Sequence, residues 1–254
     1  MCKFYSAIVT KNGDLLHNQS LMSHEDIIDL FNLNDNNPNC DNFVRVEFST
    51  DNYEDSVDIE KYELIVDEKS IPDWFEQYRE YITSRLKDFV SKRIILTNQK
   101  ILTDGLYVVG KDVVIDRLIN GTIIYLFGTV QKVYAGGTVQ EVNSGGTVQV
   151  VYNGGTVQEV NSGGTVQRVY AGGTVQEVRN GGIVQEVYGG TVQKVCEGGT
   201  VQEVYAGGTV QVVYYGGTVQ EVYAGGTVQK VCEGGTVQEV CEGGTVDGTK
   251  KILS

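Results

Sequence analysis

A nine-residue unit, Thr-Val-Gln-x-Val-Tyr-x-Gly-Gly, starts at Thr129 and recurs at Thr138, Thr147, Thr156, Thr165, Thr174, Ile183, Thr191, Thr200, Thr209, Thr218, Thr227, Thr236 and Thr245. One nonapeptide cannot bury its own apolar face, so such a chain must stack each unit on a copy of itself. Thr, Val and Tyr favour strands, and the glycine pair supplies a turn or a close backbone approach. The repeats therefore predict parallel strands stacked ~4.8 Å apart in a β-solenoid. Every step is nine residues except the one from Ile183 to Thr191, where Tyr188-Gly189-Gly190 lacks the variable residue.

The sixth position of the unit shows how many nonapeptides make a coil. Alternate repeats place Tyr134, Tyr152, Tyr170, Tyr188, Tyr205, Tyr223 and Cys241 in one column, and Asn143, Asn161, Arg179, Cys196, Tyr214 and Cys232 in the other. One column is almost pure tyrosine, so the structural period is two nonapeptides, an 18-residue coil. The fourth position agrees. The tyrosine side carries Lys132, Val150 and Arg168, then Glu186, Glu203, Glu221 and Glu239; the other side carries Glu141, Glu159 and Glu177, then Lys194, Val212 and Lys230. Six to seven such coils give a rod of roughly 30 Å. One conflict stands in this reading, because Val139 and Val142 are three positions apart and a regular strand would send them to opposite faces. Either each strand carries a bulge or corner, or one valine faces something other than the main core.

The residues before the repeat read differently. Ala7-Ile8-Val9 and Leu15-Leu16 flank Asn12-Gly13, the dipeptide of a type I′ hairpin. Ser23 precedes a helical pattern over His24 to Phe31 as an N-cap with acids behind it. Asn36-Asn37-Pro38-Asn39 breaks the chain. Phe43 to Phe48 and Tyr62 to Val66 read as strands separated by an acidic loop. Pro72 opens the longest helix, with Trp74, Tyr78, Tyr81, Ile82, Leu86 and Phe89 as its apolar stripe. From Ile94 to Phe127, short β-branched runs punctuated by Asp104-Gly105, Gly110-Lys111-Asp112 and Asn120-Gly121 read as irregular first coils that cap the stack. The expected organisation is a small α+β domain over residues 1–93, irregular first coils over 94–128, the solenoid over 129–246 and a C-terminal tail or cap over 247–254.

The N-terminal run Met1-Cys2-Lys3-Phe4-Tyr5-Ser6-Ala7-Ile8-Val9-Thr10, with Ser23-His24-Glu25-Asp26-Ile27-Ile28 and Pro72-Asp73-Trp74-Phe75-Glu76, resembles uncharacterised proteins of bacteria and their phages. These join a similar leader domain to tandem Gly-Gly-Thr-Val-type repeats, and the resemblance implies no activity or site residues. The glycine-rich nonapeptide is also similar to the calcium-binding β-rolls of secreted toxins, but Gly-Gly-Thr-Val-Gln lacks their aspartate, which argues against calcium in the turns. Repeats of secreted autotransporter adhesins look similar too, although no signal-peptide-like run opens this sequence.

Candidate chemistry is sparse. Only His17 and His24 are present, too little for a histidine-based triad or metal cluster, and no glycine-rich phosphate loop carries the lysine it needs. The five cysteines, Cys2, Cys40, Cys196, Cys232 and Cys241, have no CxxC spacing and read as free thiols. Net charge is -13, spread over both halves, and argues against a nucleic-acid partner. No apolar run approaches a membrane span. Three ladders remain: the tyrosines Tyr134, Tyr152, Tyr170, Tyr188, Tyr205 and Tyr223, as mortar between coils or a stacking surface; the carboxylates Glu186, Glu203, Glu221 and Glu239, as a solvated face or a cation site; and the regular threonines, which resemble the hydroxyl arrays of ice-binding solenoids. The expectation is a cytoplasmic, non-enzymatic protein with no cofactor or metal. Its solenoid displays a surface to a protein or extended polymer, and it is able to form a homodimer through its C-terminal coils. The alternative is a ligand-binding or enzymatic leader domain with the solenoid as spacer or oligomerisation module.

Overall fold

The computed structural model describes residues 5–33 and 42–248. The Asn36–Asn39 break, Cys2, Cys40 and the end of the C-terminal tail lie outside the described residues. The chain divides into two compact units, 1–95 and 96–254.

The first unit is a four-stranded antiparallel sheet in the order β2-β1-β3-β4, built from β1 (Ser6–Thr10), β2 (Leu15–Leu16), β3 (Phe43–Ser49) and β4 (Glu63–Val66). The β1–β2 turn is not type I′. Gly13 has φ 84° but Asn12 is not left-handed, and Thr10 N–H donates to the Asp14 carbonyl at 2.9 Å. This is the three-residue loop in which a left-handed glycine follows the turn. Helix α1 (His24–Leu30) is capped by the Ser23 side chain, which accepts from the Glu25 and Asp26 amides. Its Ile27 and Ile28 pack with Ile8 and Phe43.

On the other face, Tyr5 meets Phe89 edge-on at 4.9 Å. The single helix expected after Pro72 is two: α2 (Asp73–Glu76) and α3 (Arg79–Ser91). The break turns Tyr81 outward, 54% exposed, and the buried stripe is Phe75, Ile82, Leu86 and Val90. Four-residue spacing from Ile82 to Val90 explains the stripe; Phe75 belongs to the separate turn. A two-residue strand, β5 (Ile94–Ile95), ends this unit.

The second unit is a parallel β-solenoid. One wall holds nine strands from β6 (Gln99–Thr103) to β22 (Thr236–Val240), and strands β7 (Leu106–Val109) to β23 (Thr245–Gly248) form the other wall. Equivalent residues pair at 18-residue spacing, as Thr138 with Thr156 and Val139 with Val157. The irregular first coils are full members, since β8 (Val114–Ile119) and β9 (Thr122–Leu126) pair with the first regular strands. They lengthen the stack beyond the six to seven coils counted from the repeats. Their interior carries Ile115, Leu118, Ile123 and Leu126 where the repeats carry valine.

The valine conflict resolves as a corner. Both Val139 and Val142 are fully buried, and pairing skips the glutamine between them, running from Val139↔Val157 to Glu141↔Glu159. Breaking the ladder at one residue resets the alternation, so two valines three apart enter one core. Each fully buried valine contributes about 1.5–3 kcal/mol.

The glycines of each pair do different work. Gly136 has φ 74° while Gly137 N–H donates to the Tyr134 carbonyl at 2.9 Å, the geometry of a type II turn with glycine at its third residue. The second glycine lies against the coil beneath: a Cβ on Gly155 would stand 2.7 Å from the Val133 carbonyl oxygen. At the shortened step the turn absorbs the loss. Thr174 pairs with Thr191, one residue short of the usual 18, and both columns continue in order.

Two predictions follow from this packing. Deleting residues 200–217 removes one whole coil and should lower the melting temperature only by one coil's increment. Deleting 200–208 exchanges the two walls beyond the cut and should cost more; equal melting temperatures for the two deletions would refute the coil. Gly155→Ala should destabilise by about 1–3 kcal/mol in chemical denaturation, because the methyl group has no room above Val133.

Candidate functional site

In each even-numbered repeat strand the second valine points inward, so the residues on either side of it, positions four and six, point outward together. On one wall these are the glutamates and tyrosines of the two ladders. The six tyrosines form one continuous stack, from Tyr134–Tyr152 at 5.0 Å and 11° through Tyr188–Tyr205 at 4.4 Å and 7° to Tyr205–Tyr223 at 4.8 Å and 6°. Tyr170 stacks on Tyr152 and Tyr188 at 5.6 and 5.7 Å. Stacked, half-buried rings have their faces occupied by one another. What the column offers outward is ring edges and hydroxyl groups.

Glu186, Glu203, Glu221 and Glu239 pair in register on adjacent strands. Like charges so placed repel, and the neighbouring tyrosines relieve this: Tyr205 Oη donates to Glu203 and Tyr223 Oη donates to Glu221. At the top of the ladder Arg168 Nε donates to Glu186 at 3.0 Å. The reversal of sign at position four thus places opposite charges on adjacent strands, Arg168 beside Glu186 on one wall and Glu177 beside Lys194 on the other. The bonds to carboxylate raise the tyrosine pKa values. Tyr223 is pushed up to about 12, first by its hydrogen bond to Glu221 and then by desolvation. Tyr205 rises further, with the Glu203 bond the largest cause.

The opposite wall is built otherwise. Arg179 spans coils: it donates to Glu159 and to Asn161 Oδ1 at 3.2 Å, and lies 3.5 Å from Glu177. Burial and then the nearby Glu159 push the Glu141 carboxyl up. Cys196 and Cys232 are free, with Tyr214 between them in the column, and Cys241 is free at the end of the tyrosine column. Threonines align in register on both walls, half-buried rather than forming an open hydroxyl face. The chain matches no known protein family, no curated protein and no solved structure. Among the described residues no helix is long and apolar enough to cross a membrane.

The leader unit holds a cluster that spacing did not reveal. His24 at the start of α1, Glu47 on β3 and Asp67 just beyond β4 bring one ligand atom each within 4.8 Å of the others. His24 and Glu47 are buried and Asp67 is exposed. Helix capping sets His24 at the first position after Ser23, and sheet alternation sets Glu47 on the face shared with Phe43 and Ile8. Their sequence separation hid the cluster, and within β3 Arg45 and Glu47 alternate with valines as in a half-polar strand, so nothing local marked it. His17 is elsewhere, 4.1 Å from Phe89, its pKa lowered by burial and then by Arg93 and Arg85.

The tyrosine–glutamate bonds give the solenoid an alkaline limit. An unfolded tyrosine titrates near pH 10, and Tyr223 in the fold near 12. Raising the folded pKa means the contribution is complete below about pH 10 and is lost as pH rises through about 12. Phenolate absorbance should therefore show a tyrosine class titrating above the free residue, reduced by Tyr223→Phe. A single class near pH 10 in the folded protein would contradict the hydrogen bonds.

Proposed function

We propose that this chain is a non-enzymatic interaction protein whose solenoid presents the tyrosine–glutamate wall to an extended partner lying along its axis. The carrying observation is the in-register run of stacked tyrosines beside in-register carboxylates. Hydroxyls and carboxylates repeated at the strand spacing of ~4.8 Å suit a partner that is itself periodic, such as an extended basic peptide or cationic polymer. Nucleic acid and membrane are outside this reading, in keeping with the net charge of -13. Its setting is cytoplasmic and phage-related; free thiols at Cys196, Cys232 and Cys241 fit a reducing compartment, and the phage link rests on the sequence resemblance alone.

The test is the full chain against lysine-rich and glutamate-rich peptides by fluorescence anisotropy. The lysine-rich peptide should bind in a salt-dependent way, and Glu203→Gln with Glu221→Gln should weaken it by at least about tenfold, roughly 1.4 kcal/mol. Removing the same charge from the other wall, Glu159→Gln with Glu177→Gln, should leave affinity nearly unchanged. Equal losses would reduce the effect to net charge and defeat the proposal.

Self-association through the C-terminal coils belongs to the same reading. Val240 and Val246 are half-buried where the equivalent valines upstream are buried, so the last described coil has core left to cover. Removing residues 247–254 should raise the sedimentation coefficient at high concentration; a monomer with and without them would exclude the dimer. A second reading, a ligand-binding leader domain with the solenoid as spacer, is favoured by the convergence of His24, Glu47 and Asp67.

A further inference from the structure

His24 is 4% exposed, at the start of α1. Its Nε2 lies 3.0 Å from the Val46 carbonyl oxygen, an atom that only accepts, so Nε2 carries the proton. In the neutral ring Nδ1 is then a lone-pair donor. That nitrogen points at Asp67, with 3.6 Å between Nδ1 and Oδ2. This is too long for a hydrogen bond, but it falls within the roughly 3–4 Å that separates two ligand atoms each about 2.1 Å from one ion. The third ligand atom comes from Glu47, 8% exposed on β3, within 4.8 Å of both.

We propose that His24, Glu47 and Asp67 form a binding site for a divalent transition-metal ion of the zinc or manganese class. One imidazole nitrogen and two carboxylates are a mixed nitrogen–oxygen set, which suits these ions better than magnesium or calcium. The two carboxylate charges balance the dication, and the Val46 carbonyl at Nε2 sets Nδ1 as the ligating nitrogen. A backbone carbonyl holding the far nitrogen of a ligating histidine is the usual support of such a site. Two ligands are fixed by burial. Asp67 is exposed and has the freedom to close the remaining distance and to leave positions for water or for a small anionic ligand. The inference is independent of the solenoid reading, since every residue lies in the leader unit.

The experiment uses the full chain, stripped with a chelator, its cysteines alkylated so that the solenoid thiols cannot bind metal. Zinc and manganese should each be retained at one ion per chain by elemental analysis and should raise the melting temperature in a saturable way, while magnesium does neither. Cobalt should give a visible spectrum of a nitrogen-containing site. Asp67→Asn, a change at an exposed side chain, should weaken zinc binding by at least about tenfold without lowering the melting temperature of the metal-free protein. Glu47→Gln and His24→Gln should abolish retention, with circular dichroism reporting that each variant is folded. Failure to retain zinc or manganese, equal stabilisation by magnesium, or undiminished binding by Asp67→Asn would each overturn the site.

Discussion

Parallel stacking in register is the constraint from which the rest of the solenoid derives. When each strand lies on an identical strand ~4.8 Å away, every side chain meets its own equivalent above and below, so only residues that tolerate their own company can recur. Valine does so inside, where the fully buried columns fill the interior without polar atoms. Tyrosine does so outside by offset stacking. Glycine is required where a side chain would strike the carbonyl of the coil beneath. Glutamate is the exception, since like charges gain nothing from stacking; Tyr205 and Tyr223 hydroxyls donate to Glu203 and Glu221 on one wall, and Arg179 donates to Glu159 on the other.

The same constraint links the fold to its candidate surface. A break in the ladder at each glutamine brings both valines inside and therefore turns positions four and six outward on one wall. Glutamate and tyrosine become neighbours within a strand as well as between strands. Because ring faces are occupied within the stack, the wall presents edges, hydroxyls and carboxylates.

The leader unit follows other rules. Its antiparallel sheet has α1 against one face and α3 reaching the other through Tyr5 and Phe89. Long-range contacts of dissimilar residues define it, and such contacts place His24, Glu47 and Asp67 together. Repetition gives the solenoid a continuous surface; irregularity gives the leader a point-like cluster.

The repeat sequence alone determined the parallel solenoid, its 18-residue coil and the two columns, because a stack converts sequence period directly into spatial neighbours. Local rules also determined the Ser23 cap and the strands β3 and β4. Tertiary structure decided the rest. The β1–β2 loop took a left-handed Gly13 after the turn instead of a left-handed Asn12, and the helix after Pro72 split so that Phe75 and Val90, not Tyr81, were buried. Pairing across coils settled that both valines enter the core. The histidine–carboxylate cluster was invisible in one dimension, since its members lie on three elements of a non-repeating domain and meet only when helix and sheet pack, a geometry no local period encodes.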